Sequence, residues 1–159
     1  MIKLFITIFS IFNIGTPETI SGKVIRVIDG NTIEILDSEK EVVKIMLSEV
    51  DCPELGQEFS EEAKKLTEKL VLKKRVVVEL KGKDRWGNKL GQVMLNNGKL
   101  LHHELLQNGL AWAKEEDNEA LVNMQATAKA SKSGLWISED PTPPWIYRRQ
   151  QTMMAPKGR

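Results

Sequence analysis

Cysteine occurs once in 159 residues, at Cys52. No intramolecular disulfide can form, so the fold must stand on its hydrophobic core. An excess of one charge sign is missing as well: 23 Lys and Arg against 22 Asp and Glu leave a net +1. That excludes a bulk positive field able to draw the chain onto nucleic acid wherever it touches. Any contact with a polyanion must be local. Histidine is limited to His102 and His103, which are adjacent and point in different directions on a helix, a poor arrangement for a metal pair. They read as helix-start residues. No apolar run reaches the ~20 residues that span a bilayer, and there is no internal repeat or low-complexity stretch. With 41% hydrophobic and 28% charged residues, the chain suits one domain with a single core.

The N-terminus stands apart. From Met1 to Ile14 the sequence is apolar after Lys3, interrupted only by Thr7, Ser10 and Asn13. This is too short to cross a bilayer but has the form of a signal-peptide core, which predicts export to the periplasm or the exterior. Thr19-Ile20-Ser21 fits a small-x-small cleavage pattern; an uncleaved leader would instead tether the chain to a membrane. The expected division is residues 1–19 as leader, 20–149 as the folded domain and 150–159 as a basic flexible tail.

Within the domain, alternation from Thr19 to Ile28 predicts a strand with Ile20, Val24 and Val27 facing inward and a bulge near Gly22. Asp29-Gly30-Asn31 is a turn signal, with Asn31 suited to positive φ, and Thr32 to Leu36 returns as a second strand. After the polar turn Asp37–Lys40, Glu41 to Leu47 makes a third. Ser60 is the expected N-cap of a helix to Leu72, with Glu61 and Glu62 in its first turn and Ala63, Leu66 and Leu70 on one face. Arg75–Leu80 and Lys89–Leu95 are two further strands joined by a charged loop. His102–Asn108, closed by Gly109, and Asn118–Ser131, with Leu121, Gln125 and Ala128 along one side, are two C-terminal helices. Gly134-Leu135-Trp136 ends the second, and Pro141, Pro143 and Pro144 predict an extended exit. The fold class is therefore α+β, mainly β: a five-stranded OB-type barrel with one inserted helix and two C-terminal helices.

The third strand runs on into Val50-Asp51-Cys52-Pro53-Glu54. Proline fixes its own φ and keeps Cys52 out of helical geometry, so Asp51 and Glu54 leave the barrel rim in a defined direction. Carboxylates so placed suit a metal ion or a general base. Cys52 between them is most simply a small residue, the alternative being a soft metal ligand or a nucleophile without a paired histidine.

At this point the sequence resembles the staphylococcal nuclease (thermonuclease) family. Asp29-Gly30-x-Thr32, Val50-Asp51-x-Pro53-Glu54, Asp84-x-Trp86-Gly87, Gly109-Leu110-Ala111, Gly134-Leu135-Trp136 and Pro144-Trp145 occur in the family's order and spacing, from about Gly22 to Arg149. The resemblance implies a weakly bound calcium ion at Asp51, Asn31 and Thr32, Glu54 as the base that activates water, and Asp29 as a supporting acid. It also implies losses. The family's second metal aspartate falls on Asn31, and its two phosphate-binding arginines fall on Met46 and Asn88. Fixed cations facing the equatorial oxygens supply much of the catalysis of phosphodiester hydrolysis. The expectation is thus a weak or inactive nuclease that acts in binding. The alternative is an active phosphodiesterase with Lys44 or Arg85 as a relocated cation, unless both are ordinary solvated charges. Lys83, Arg85 and Trp86 combine cations with an aromatic, a mixture that holds single-stranded nucleic acid, the alternative being a tryptophan packed against the barrel rim. Single-stranded DNA or RNA is the implied partner, and a protein partner the alternative.

Overall fold

The computed structural model describes residues 17–114 and 118–154. The expected leader lies almost wholly outside the described residues, as does the end of the expected tail. In chain order the elements are β1 (Thr19–Asp29), β2 (Thr32–Leu36), β3 (Val42–Leu47), β4 (Val50–Asp51), α1 (Ser60–Val71), β5 (Arg75–Lys83), β6 (Lys89–Met94), α2 (Leu101–Gln107), β7 (Trp112–Ala113), α3 (Glu119–Ala130) and α4 (Pro144–Met154), with a 3-10 turn at Gly134–Ile137. Five strands close into a barrel in the order β1-β2-β3-β6-β5. Neighbours are antiparallel except β3 and β6, which run parallel. This is the expected OB-type barrel.

Period-2 patterning builds it. Val24 and Val27 of β1, Ile33 and Ile35 of β2, Ile45 and Leu47 of β3, and Val76 and Val78 of β5 are buried. Leu101, Leu105 and Leu106 of α2 and Ala63 and Val71 of α1 complete the same core. The expected Ile20 is only partly buried at the edge of this cluster. Among the described residues no helix is long and apolar enough to cross a membrane.

Four local expectations fail for identifiable reasons. Ser60 is not an N-cap: Phe59 holds that position with φ 64°, no side chain caps the helix, and Ser60 is its first, buried residue. The bulges of β1 lie between Val24 and Arg26 and between Val27 and Asp29 rather than at Gly22. Asn31 does not adopt positive φ. The C-terminal exit is not extended after Pro144. That proline opens α4, where its fixed φ and missing N–H are well tolerated, and the helix runs past Arg149 to Met154, into the segment expected to be a flexible tail.

Two packing arrangements position the strand ends that matter. The turn after β1 lies flat on α1: a Cβ at Gly30 would come within 2.8 Å of Ala63 Cβ and of Cys52 Cβ and Sγ. The buried Thr67 hydroxyl donates to the Gly30 carbonyl at 2.7 Å. Glycine is needed here for close approach, not for handedness. Ahead of β4, Glu49 accepts a hydrogen bond from Gln92, and its Oε2 is 3.1 Å from Nε2 of the buried His102. Its carbonyl accepts from the Lys114 N–H at 2.9 Å. This polar corner ties β4 to β6 and α2. Burial outweighs the attraction of Glu49 and pushes the His102 pKa down to about 4.

Thr67→Val should cost about 1–3 kcal/mol by leaving the buried Gly30 carbonyl unpaired. Urea unfolding measures it, and an unchanged midpoint would remove the hydroxyl from the account of the turn. His102 is neutral in the fold and titrates near 6.5 when unfolded. Its stabilising contribution is full above pH 6.5 and falls as pH drops toward about 4, by roughly 2–3 kcal/mol. His102→Gln should flatten that part of the pH–stability curve; an unaltered acid limb would contradict the assignment.

Candidate functional site

The acidic rim is held by a two-stranded sheet outside the barrel. β4 pairs with β7 so that Val50 faces Ala113 and Asp51 faces Trp112, and Gln125 of α3 accepts the Ala113 N–H at 2.9 Å. Asp51 is thereby fixed as a buried carboxylate whose side chain is only 6% exposed. Beyond Pro53 the chain turns. Gln57 Oε1 accepts the Glu54 N–H at 3.0 Å, and its amide donates to the Thr142 carbonyl. One glutamine thus links the Glu54 turn to the segment that enters α4.

That link matters because a cation does reach the two carboxylates. Arg148 of α4 donates from Nη2 to Asp51 Oδ2 at 2.8 Å and from Nη1 to Asp51 Oδ1 at 3.2 Å. Nη1 also donates to Glu54 Oε1. The side chain is 47% exposed. Asp51, then Glu54, hold the guanidinium pKa above its ordinary value, against the partial burial that lowers it. The start of α4 is set by aromatics: Trp145 packs edge-on against Trp112 with ring centroids 6.4 Å apart, and Trp112 packs likewise on Trp136 at 5.4 Å. Trp145 and Arg148 are three residues apart and so share a helix face. Seating Trp145 on the strand partner of Asp51 therefore delivers Arg148 to Asp51.

The absence of a facing cation, expected from Met46 and Asn88, is thus overturned by Arg148, a residue near the end of the expected domain that carried no assigned role. Pro144 at a first helical position and the i, i+3 spacing of Trp145 and Arg148 were the available signals. Neither proposed replacement takes the role: among the described residues no ion pair joins Lys44 or Arg85 to Asp51 or Glu54. Lys44 is exposed opposite Glu34 on the barrel wall, close enough to Asp29 for its charge to act there. Arg85 stacks on Trp86, 4.0 Å from the ring centroid, and Lys83 lies exposed opposite Lys89.

Met46 and Asn88 are taken up by packing and by the loop. Met46 is half-buried between Thr32 and Leu90. Asn88 is spent on its own loop: Nδ2 donates to Asp84 Oδ2 at 2.7 Å and its N–H to Oδ1 at 2.9 Å, which holds the Asp84 pKa below its usual value. Asp29 accepts the Asn31 N–H at 3.0 Å. Burial pushes its pKa up, against hydrogen bonds from Thr32 and Asn31. Asn31 and Thr32 are both buried. Cys52 is buried, and burial first, then Asp29 and Asp51, push its thiol up, which favours the protonated, packing form of the side chain.

As donors, Asp51 with the amide oxygen of Asn31 and the carbonyl of Thr32 are hard oxygens of the kind calcium takes. Among the described residues no three His, Cys, Asp or Glu side chains converge to hold a metal, and both oxygens of Asp51 are engaged by Arg148. The donor chemistry fits the ion once Arg148 moves off.

Comparison with known proteins agrees with the barrel fold. Residues 44–138 match the family described as staphylococcal nuclease homologue. An uncharacterized endonuclease of Escherichia coli O157:H7 is 39% identical over 134 residues, covering 83% of this chain and 87% of the relative. Another uncharacterized endonuclease, of Haemophilus influenzae, is 32% identical over 146 residues, 91% of this chain and 82% of the relative. The micrococcal nuclease of Shigella flexneri is 30% identical over 144 residues, 80% of each chain.

If calcium takes Asp51 as a donor, the guanidinium stands in its place, and Arg148→Ala should increase the rise in Tm produced by millimolar calcium. Each kcal/mol of added binding is worth about 4 °C. Equal calcium shifts in the two proteins would show that Arg148 does not occupy the ion's donors.

Proposed function

Since this chain belongs to the staphylococcal nuclease family, we propose that it is a nucleic-acid phosphodiesterase with a rewired site, in which Arg148 replaces the arginines lost at Met46 and Asn88. The single observation that carries this reading is the forked contact of Arg148 with Asp51 and its reach to Glu54. A guanidinium beside the base can meet a phosphodiester with two parallel N–H donors, which a lysine at position 44 could not.

Glu54 is the general base. It takes the proton of the attacking water as the new P–O bond forms and the ester P–O bond breaks, and its exposure of 36% leaves room for that water. Arg148 shifts from Glu54 onto the phosphate oxygens, where charge builds in the transition state. Asp51, buried and fixed by Trp112 across β4–β7, holds the guanidinium at rest and is freed as an oxygen donor when Arg148 moves onto the phosphate. Asp29 holds the turn that presents Asn31 and Thr32. Calcium, on which nucleases of this family depend, would be held by Asp51, Asn31 and Thr32 and would add positive charge at the scissile phosphate. The apolar leader supports export as the setting.

A second reading rests on Asn31: with one fewer carboxylate the ion is held weakly, and the site then serves binding with little or no cleavage. Incubating the protein with single-stranded DNA and RNA in calcium, magnesium or manganese separates the two. Cleavage should be abolished in Glu54→Gln, and Arg148→Ala should lower kcat by about 10²–10³, with Arg148→Lys intermediate. Absence of cleavage under every metal, or cleavage indifferent to Arg148, would favour the binding reading or a different cation.

A further inference from the structure

The segment Lys64–Arg75 holds six of the chain's 23 Lys and Arg and only one of its 22 acids, Glu68. The fold gathers the end of that segment against β1. Lys23 stands directly opposite Arg75 across β1–β5, the Lys73 N–H donates to the Val24 carbonyl at 2.9 Å, and the Lys74 carbonyl accepts the Val24 N–H at 2.8 Å. Lys74 Nζ reaches back to the Lys69 carbonyl at 2.8 Å. Lys23, Lys69, Lys73, Lys74 and Arg75 are all exposed, and among the described residues none of them is in an ion pair.

This cationic face is kept at a local cost. Like charges directly opposite one another in an antiparallel pair are destabilising. Lys73 follows the C-cap Leu72 of α1 with φ 63°, where glycine is the ordinary residue because a side chain strains the left-handed backbone. Folding alone favours neither arrangement. Beside the cations the barrel wall is apolar: Val77, two residues beyond Arg75 on the same strand face, is 41% exposed and stands opposite Met94 of β6, itself 42% exposed. Four lysines to one arginine, with aliphatic neighbours and no ring among them, differ from a nucleic-acid surface, which uses arginine forks and stacking aromatics. Lipid headgroups above an acyl boundary take this combination. The sequence before β1 selects the same partner. The apolar stretch Leu4–Ile14 ends seven residues before Ser21, and Ser21 stands opposite Val77 on this face. Seven residues reach at most ~25 Å, so the stretch joins the barrel beside the cations.

We propose that the face around Lys23, Lys73 and Arg75 docks on an anionic lipid surface, with Val77 and Met94 at the headgroup boundary and the apolar stretch retained as a second attachment. The two act together. One short apolar anchor gives marginal, reversible binding, and a polybasic patch is the second signal that makes anchoring stable. The proposal does not depend on the nuclease reading. Helix α1 starts at Ser60, just after the Glu54 turn, and ends at Val71, about 18 Å further on, so the docked face and the Asp51–Glu54 site sit at opposite ends of that helix.

Sedimentation of the full chain with phosphatidylcholine vesicles, with or without about one-third phosphatidylglycerol to set a negative surface potential, tests it. The chain should partition more strongly onto the anionic vesicles, and the excess should vanish as salt shortens the Debye length from ~10 Å at 0.1 M to ~3 Å at 1 M. Lys23→Gln, Lys73→Gln and Arg75→Gln together should lower that partition about 100-fold, at roughly fivefold per cation, and leave binding to neutral vesicles unchanged. Lys73→Gly separates binding from folding: it should raise Tm by about 2–4 °C while losing about fivefold in partition. Equal binding to neutral and anionic vesicles, or an anionic excess untouched by the triple substitution, overturns the proposal and leaves the apolar stretch as the sole attachment. If the triple variant instead loses affinity for single-stranded or duplex DNA in EDTA while its partition onto anionic vesicles holds, the face belongs to nucleic acid and the lipid assignment fails.

Discussion

The forked ion pair between Arg148 and Asp51, extended to Glu54, is the constraint around which the functional end of this molecule is arranged. Asp51 is nearly buried, and a buried carboxylate without a partner is costly. Among the described residues the barrel itself gives Asp51 no ion-pair partner: Met46 sits in the barrel wall and Asn88 is bonded to Asp84. The partner comes instead from a helix packed beyond the barrel, and its charge offsets the desolvation of Asp51. Half of Arg148 remains in water, so the pair is neither as strong nor as rigid as a fully buried one. That intermediate character suits the proposed role, in which Arg148 holds a carboxylate at rest and meets a phosphate at work.

Supports for this pair come from several elements at once. β7 aligns Asp51 and carries Trp112; Trp112 seats Trp145; one helical turn later Arg148 arrives. Gln57 couples the Glu54 turn to the approach of α4, and the Glu49–His102–Gln92 corner anchors the chain just before β4. On the other side, Thr67 and the close approach of Gly30 to Cys52 fix the turn bearing Asn31 and Thr32. Cys52 therefore has a packing role: it fills the space under that turn, and its buried thiol is kept protonated. Aromatic and cationic side chains on α4 and on the loop after β5 line an open groove beside the site.

Much of the architecture was legible locally. Alternating apolar residues in β1 to β3, β5 and β6 specify strands because their side chains have a period of two and one buried face. Gly109 at φ 66° closes α2 as glycine does, and Asn118 caps α3 through the Leu121 N–H. Where the reading failed, the deciding interaction was remote in sequence. Asn31 suited positive φ on propensity alone, but the turn is pinned by α1, so the glycine beside it serves close packing. Three prolines suggested an extended exit, yet a proline at the first helical position is as good as a start signal once Trp145 has a surface to dock on.

The sequence by itself determined the barrel, the order of its first three helices, the direction in which Pro53 launches Asp51 and Glu54, and the family to which these belong. All of that follows from patterns and turn chemistry spanning a few residues. Only the tertiary structure decided which cation faces the carboxylates, because Asp51 and Arg148 are 97 positions apart and no local rule relates them. Their meeting depends on a strand pair, a tryptophan contact and a helix start acting together, which is packing information that a one-dimensional pattern does not carry.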